Sequence, residues 1–319
     1  MIQHTDAQFD ETLTKRAIAL LEGREDFAVV NGAIPMIPTE VFNGNYKVWS
    51  ASDFRRRNIE KRAEGTEFKR VNLGVKEKQF ACEQEGYEIP IGDRNRLANE
   101  AEDTSAKMVE DAYAQFDIRL AEKLTSANFS HVYSGVASGA TGKQFIKWDV
   151  ANSNPIADIK KMKLEIKHAL GVNPDSLLIT EDIFNALTEN ATILARLRCD
   201  ADKELTAQKL AQFFGLKNLY IMAGCETTTA DGQAQQTIGT IATSNVALLY
   251  YKGDVAGATN PSAVKCFYNT NTYGAGSNGI IIQTYREEKI TADVIRVVQD
   301  FTIVVSMEEG AVLLTNVIS

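Results

Sequence analysis

Ala137–Lys143, ASGATGK, is the stretch whose residue types and spacing come nearest to a catalytic motif. A glycine-rich loop ending in lysine can cradle phosphates on its backbone N–H groups, and this one matches the relaxed nucleotide-binding pattern with Ala137 first. Two features oppose that chemistry. Gln144 stands where Ser or Thr would hold magnesium, and FIKWDV after it reads as a strand where a helix N-terminus should receive the phosphate. The sequence therefore predicts a surface loop. His4, His131 and His168 are far apart, and neither GxSxG nor HExxH occurs. Glu287–Glu288 and Glu308–Glu309 read as solvated faces beside strands or turns. Cys82, Cys199, Cys225 and Cys266 are scattered without metal-ligand spacing, which predicts reduced structural thiols. The expectation is a non-enzyme with no catalytic, cofactor-binding or metal-ligating residue.

Charge gives a sharper signal. The chain has 319 residues, 44% hydrophobic and 24% charged, enough for two domains with real cores. Its net charge of −8, from 34 basic and 42 acidic side chains, argues against tight wrapping of nucleic acid but suits a container for it. Basic residues nevertheless gather at Arg55, Arg56, Arg57, Lys61, Arg62, Lys69 and Arg70, with Lys76 and Lys78 beyond. Only Phe54 and Phe68 flank the cluster, and Glu60, Glu64 and Glu67 dilute it, so it falls short of a nucleic-acid patch. Downstream lie Glu100, Glu102, Asp103, Glu110, Asp111, Asp117 and Glu122. These two sets predict subunit contacts in which the basic stretch of one copy meets the acidic stretch of another, weakening as salt rises. No apolar h-region follows Met1 and no segment has bilayer length, so a cytoplasmic chain without a membrane partner is expected.

The elements that must carry these charges are legible in outline. Asp93–Ala127 contains neither proline nor glycine, and Leu97, Ala101, Met108, Ala112, Phe116, Leu120 and Leu124 recur at steps near four. A helix from Arg94 to Thr125 would be about 48 Å long, with Asp93 as its N-cap and a modest apolar stripe that fits a strut better than a core. Before it, residues 6–22 read as a short amphipathic helix and residues 27–50, with Pro35 and Pro38, as an extended arm lacking its own core. Val71, Leu73 and Val75, then Phe80 and Cys82, then Tyr87, Ile89 and Ile91 alternate with polar residues, predicting a long hairpin over 53–91. So polar a hairpin must pack on something outside itself, either another copy or, as an edge hairpin, its own domain.

After the helix, residues 128–142 read as loop and 143–150 as a strand holding Trp148. Asn154 and Pro155 open a helix that Gly171 stops, and SLLIT at Ser176–Thr180 reads as a buried strand. Helices EDIFNALTEN and AQKLAQFF follow, then apolar strands at 218–224 and 245–253. The last third is rich in strands, at 264–268, 280–286, 292–305 and 311–318, with a turn over 273–279.

Taken in order, these parts resemble the major capsid proteins of tailed double-stranded-DNA bacteriophages. RAEGTEFKR at Arg62–Arg70 and FACEQEGYEIPIGDRNR at Phe80–Arg96 look like that family's junction between its hairpin, the E-loop, and its spine helix. NPIADIKKMKLEIKHALGVNPDSLLITEDIFNAL and FGLKNLYIMAG resemble segments of its axial domain, and DFTIVVSMEEGAVLLTNVIS its closing strands. The resemblance implies an α+β chain divided into an N-terminal arm (1–52), E-loop hairpin (53–92), spine helix with the first part of the peripheral domain (93–150), axial domain (151–262), peripheral-domain strands (263–307) and a return strand (308–319). It further implies self-assembly into hexamers and pentamers of an icosahedral virion shell, built in the host cytoplasm. Such a shell would enclose double-stranded DNA without sequence-specific binding, and a separate scaffolding protein and a portal would assist. Encapsulin compartments share this fold and are the alternative; a nucleotide-binding enzyme using Ala137–Lys143 is the other.

Overall fold

The computed structural model describes residues 8–21, 27–48, 59–70, 76–93, 100–197, 205–227, 238–241, 245–253, 257, 259–271 and 279–319. In chain order the elements begin with β1 (Gln8–Phe9), α1 (Glu11–Leu21), β2 (Met36–Thr39), β3 (Asn43–Val48), β4 (Lys76–Ala81), β5 (Glu83–Gly92) and the long α2 (Glu100–Ser126). Then come β6 (His131–Val136), β7 (Gln144–Ile146), α3 (Pro155–Leu170), β8 (Ser176–Thr180), α4 (Glu181–Glu189), α5 (Ala191–Leu197) and α6 (Ala207–Phe214). Strands β9 (Asn218–Met222), β10 (Cys225–Thr227), β11 (Ile238–Thr240), β12 (Ala247–Tyr250), β13 (Val264–Asn269), β14 (Ile280–Glu287), β15 (Ala292–Val305) and β16 (Ala311–Thr315) complete the chain.

Two six-stranded sheets organise the molecule. The first is built on β15, which pairs with β14, β13 and β5, while β1 and β2 extend it beyond β14 and β13. The second runs β7-β6-β16-β12-β8-β9 and mixes parallel with antiparallel pairs. All five residues of SLLIT are buried because both faces of this sheet are covered. Leu177 and Ile179 face α3, α4 and α6, while Leu178 joins the core around α2. Local chemistry sets the helix ends: Asn154 and Thr180 each accept an amide N–H of their first turn, and Gly171 and Gly215 close α3 and α6 in the left-handed conformation.

Helix α2 has 27 residues, about 40 Å of axis. Its predicted stripe is buried at Met108, Ala112, Phe116, Leu120 and Leu124. Ser105, Val109, Tyr113 and Asp117 are buried too, so the helix lies inside the core between α1, the two sheets and residues 27–34 instead of standing as a strut. Residues 94–99, where the sequence placed its first turn and Leu97, lie outside the described residues. The carboxylate of Asp93, the expected cap, accepts from Arg286 Nη1 at 2.5 Å and Nη2 at 2.7 Å, and the first turn it would cap lies outside the described residues.

The arm expected over 27–50 finds a surface within its own chain: Phe27, Ala28, Val29, Ala33 and Ile34 are buried, and β2 pairs in parallel with β13. Two further expectations are corrected. The hairpin pairs differently from the prediction. β4 pairs with β3, from Asn43↔Ala81 to Val48↔Lys76, whereas Tyr87–Ile91 belong to β5, which runs antiparallel to β15. Period-two alternation marks a strand without naming its partner, and the chain changes sheets at Cys82. Val71, Leu73 and Val75 lie outside the described residues, as do most of the turn over 273–279, His4 and Cys199. Lastly, residues 131–136 form β6, paired in parallel with β16, where a loop was expected, and only Gln144–Ile146 of the expected 143–150 strand is extended.

Candidate functional site

No metal-binding group of three or more His, Cys, Asp or Glu occurs among the described residues, and no described helix is long and apolar enough to cross a membrane. Cys82, Cys225 and Cys266 are free thiols. The loop Ala137–Lys143 joins two strands, β6 and β7, so no helix follows it in the chain as a phosphate-binding loop requires. Lys143 is turned onto the protein, donating to the Ser130 carbonyl at 3.3 Å and lying 3.8 Å from Glu165. Burial pushes Glu165 up, but Tyr133, His131 and Lys143 together outweigh it and hold the carboxyl below its ordinary range. These contacts are those of a tethered surface loop.

The feature that stands out is the hairpin β3–β4. β4 exposes every residue except Phe80, and β3 buries only Tyr46 fully. These two rings and Phe267, Ile37 and Val304 form a small separate cluster at the hairpin base. Phe80 stacks on Phe267 with centroids 4.2 Å apart and planes at 6°. Lys78 adds an ion pair to Glu308 at 3.1 Å. Beyond this base, residues 59–70 are exposed throughout, Ile59 at 90% and Phe68 at 76%. Both are large apolar side chains open to solvent in the segment between the two strands.

The residues expected to make subunit contacts are distributed as follows. Arg62 lies over the Phe68 ring at 4.2 Å, Lys69 pairs with Glu60, and Arg70 and Lys76 are exposed. Arg55, Arg56 and Arg57 lie outside the described residues. Glu100 and Glu102 are in α2, but only Asp103 of that acidic trio has a described side chain, and it is exposed. Further along α2 the acids are used within the chain. Asp111 accepts from the Tyr87 hydroxyl at 2.6 Å, and Glu122 accepts from Arg119 at 2.8 Å. Asp117 is fully buried, receiving the amide N–H groups of Ala28 and Val29. Sequence reasoning placed Phe80 in an alternating strand but missed its partner ring Tyr46, whose signal was an aromatic at an inward position of an otherwise polar strand.

No protein-family model and no curated protein matches the chain. Solved structures do. A phage-related protein of Bordetella bronchiseptica RB50 superposes with a TM-score of 0.71 at 15% identity, covering 98% of each chain. The capsid protein of cyanophage P-SCSP1u gives 0.57 at 10% identity, covering 92% of this chain and 90% of its own. An encapsulin of Synechococcus elongatus PCC 7942 gives 0.52 at 11% identity, covering 97% and 89%. Spanning almost the whole chain at such low identity, this likeness is one of architecture: the chain has the α+β fold of the tailed-phage major capsid proteins, which encapsulin shells share.

Proposed function

We propose that the chain is the structural subunit of a closed protein shell, with the capsid of a tailed phage as the leading reading. The observation that carries this is the hairpin β3–β4, whose described residues are anchored at its base and leave Ile59 and Phe68 exposed between its strands, on a fold used by capsids. An isolated copy gains nothing from such an extension, whereas a neighbouring copy covering it gains about 1.5–3 kcal/mol for each large apolar side chain buried. In this reading the β15 sheet is the peripheral domain, the β12 sheet the axial domain, α2 the spine and β3–β4 the interlocking hairpin. The cations Arg62, Lys69, Arg70, Lys76 and Lys78, with Arg55, Arg56 and Arg57, face acidic surface of another copy that includes Glu100, Glu102 and Asp103. Hexamers and pentamers then close around double-stranded DNA in a virion assembled in the host cytoplasm, with a separate scaffolding protein and a portal.

The match to an encapsulin over nearly its whole length supports a second reading, a compartment holding protein cargo. Electron microscopy of the purified protein tests both. Closed shells of uniform size support the proposal, while uniformly monomeric particles at every concentration contradict it. Shells from the native source that contain DNA indicate a capsid, and shells filled with protein indicate an encapsulin.

A further inference from the structure

A cavity of about 460 Å³ opens between α2 and the paired strands β5 and β15. Strand register sets one wall of it. Glu85 stands opposite Gln299 and Tyr87 opposite Val297, and all four line the cavity from the sheet face that α2 covers. Asp111, Ala112 and Gln115 of α2 supply the facing wall. Tyr87 and Asp111 are exposed and form the rim, whereas Gln299 is only 4% exposed and lies at the floor.

Most polar groups around this space are already answered within the chain. Glu85 accepts from Gln115 Nε2 at 2.8 Å and from Arg119 Nε at 2.8 Å, so it is held as part of the wall. The Tyr87 hydroxyl donates to Asp111 at 2.6 Å. Burial and the Asp111 carboxylate both push that phenol up, which keeps it protonated as the donor. Gln299 is the exception, because its buried Oε1 has no hydrogen-bond partner. A carbonyl oxygen kept from water without a donor is unfavourable and calls for one. Asp111 has acceptor capacity beyond the Tyr87 hydroxyl, since a carboxylate takes about four donors.

We propose that this cavity binds a primary alkylammonium ion, whose N–H groups reach Gln299 and Asp111 while its methylenes lie along Val297 and Ala112. The described lining holds two carboxylates and no cation, which favours a positive ligand. A metal ion fits poorly, because no group of three or more His, Cys, Asp or Glu able to hold one occurs among the described residues. An ammonium can turn its three N–H groups toward acceptors on different walls, whereas the rigid fork of a guanidinium matches a single carboxylate. The volume also far exceeds the roughly 30 Å³ of one water molecule. The site is built from this chain's own residues and does not depend on the shell reading.

The test is a ligand-observed NMR titration of the full-length chain, dispersed below its assembly concentration, with n-butylammonium. Tetramethylammonium, which has the same charge but no N–H, is the comparison. Saturable binding of butylammonium with a Kd of about 1 mM is expected for so small a ligand, and tetramethylammonium should bind at least about tenfold more weakly. Gln299→Leu and Asp111→Asn should each weaken butylammonium binding at least about fivefold, while Asp182→Asn on the distant α4 leaves it unchanged. Circular dichroism checks that each variant folds, and Gln299→Met replaces Gln299→Leu if it does not. Repeating the titration on assembled particles separates two sources of the ammonium group. Binding retained there supports a free amine, and binding lost on assembly supports a lysine side chain of an adjoining copy. No saturable binding by the dispersed chain, equal affinity for the two cations, or undiminished binding by either lining variant overturns the proposal and leaves a cavity filled by water alone.

Discussion

The Asp117 carboxylate receives the backbone N–H of Ala28 at 2.9 Å on one oxygen and that of Val29 at 2.9 Å on the other, across 89 and 88 residues of chain. Two amides that have no partner in a regular element are thereby satisfied inside the core, and residues 27–34 are fastened to the middle of α2. Asp117→Ala leaves both amides buried and unpaired, for an expected loss of about 2–4 kcal/mol in urea unfolding of the free subunit. A loss below about 0.5 kcal/mol would show that the clamp contributes little.

The same group sets a pH dependence. Burial pushes Asp117 up to about 7, with the Val29 and Ala28 amides pulling the other way. Its unfolded value is about 3.9, so between these values the folded chain holds a proton that the unfolded chain has released. The contribution of this group is therefore full below about pH 4 and is lost as pH rises toward 7, by at most about 1.4 kcal/mol per unit. Unfolding midpoints from pH 4.5 to 7.5 should fall more steeply in wild type than in Asp117→Asn, whose side chain does not titrate. Parallel profiles would contradict the assignment.

Gly86 in β5 is a packing requirement. A Cβ there would sit 2.3 Å from the Val297 carbonyl oxygen of the paired strand β15. Gly86→Ala must push the strands apart, and a cost of about 1–3 kcal/mol is expected in thermal melts. An unchanged melting temperature would mean that β5 moves freely on β15.

Phe80→Ala removes the ring stacked on Phe267 and is expected to cost about 3 kcal/mol in the hairpin cluster. Because that cluster is separate from the two main cores, the body should keep its cooperative unfolding while limited proteolysis within residues 43–81 accelerates. Equal protease resistance in variant and wild type would contradict the anchoring role.

The β12 sheet and its helices were the most legible part of the sequence. Asn154, Thr180 and Thr206 name helix starts, Gly171 and Gly215 name stops, and SLLIT has the continuous apolar content of a strand covered on both faces. The hairpin was legible as alternation, but the partner of each strand was not: β3 includes Gly44 and two asparagines and carries little strand propensity, so its pairing with β4 depends on Tyr46 and Phe80 meeting Phe267 from across the chain. β6 was hidden for a related reason, since HVYSGV is extended only because β16 and β7 flank it. Among the proposed contact residues, charge alone could not separate acids spent inside the chain from those left outside. Asp117 reads like its neighbours in sequence, yet its position on the buried face of α2 sends it to the amides of Ala28 and Val29.

Sedimentation velocity on the purified 35.1 kDa chain, beside a variant in which residues 49–75 are replaced by an Asn-Gly turn, tests most directly whether copies hold one another through the hairpin. The expected result is large, uniform particles for wild type and a folded species of single-chain mass for the shortened variant. Wild type sedimenting as a single chain at every concentration, or a shortened variant assembling as well as wild type, would contradict it.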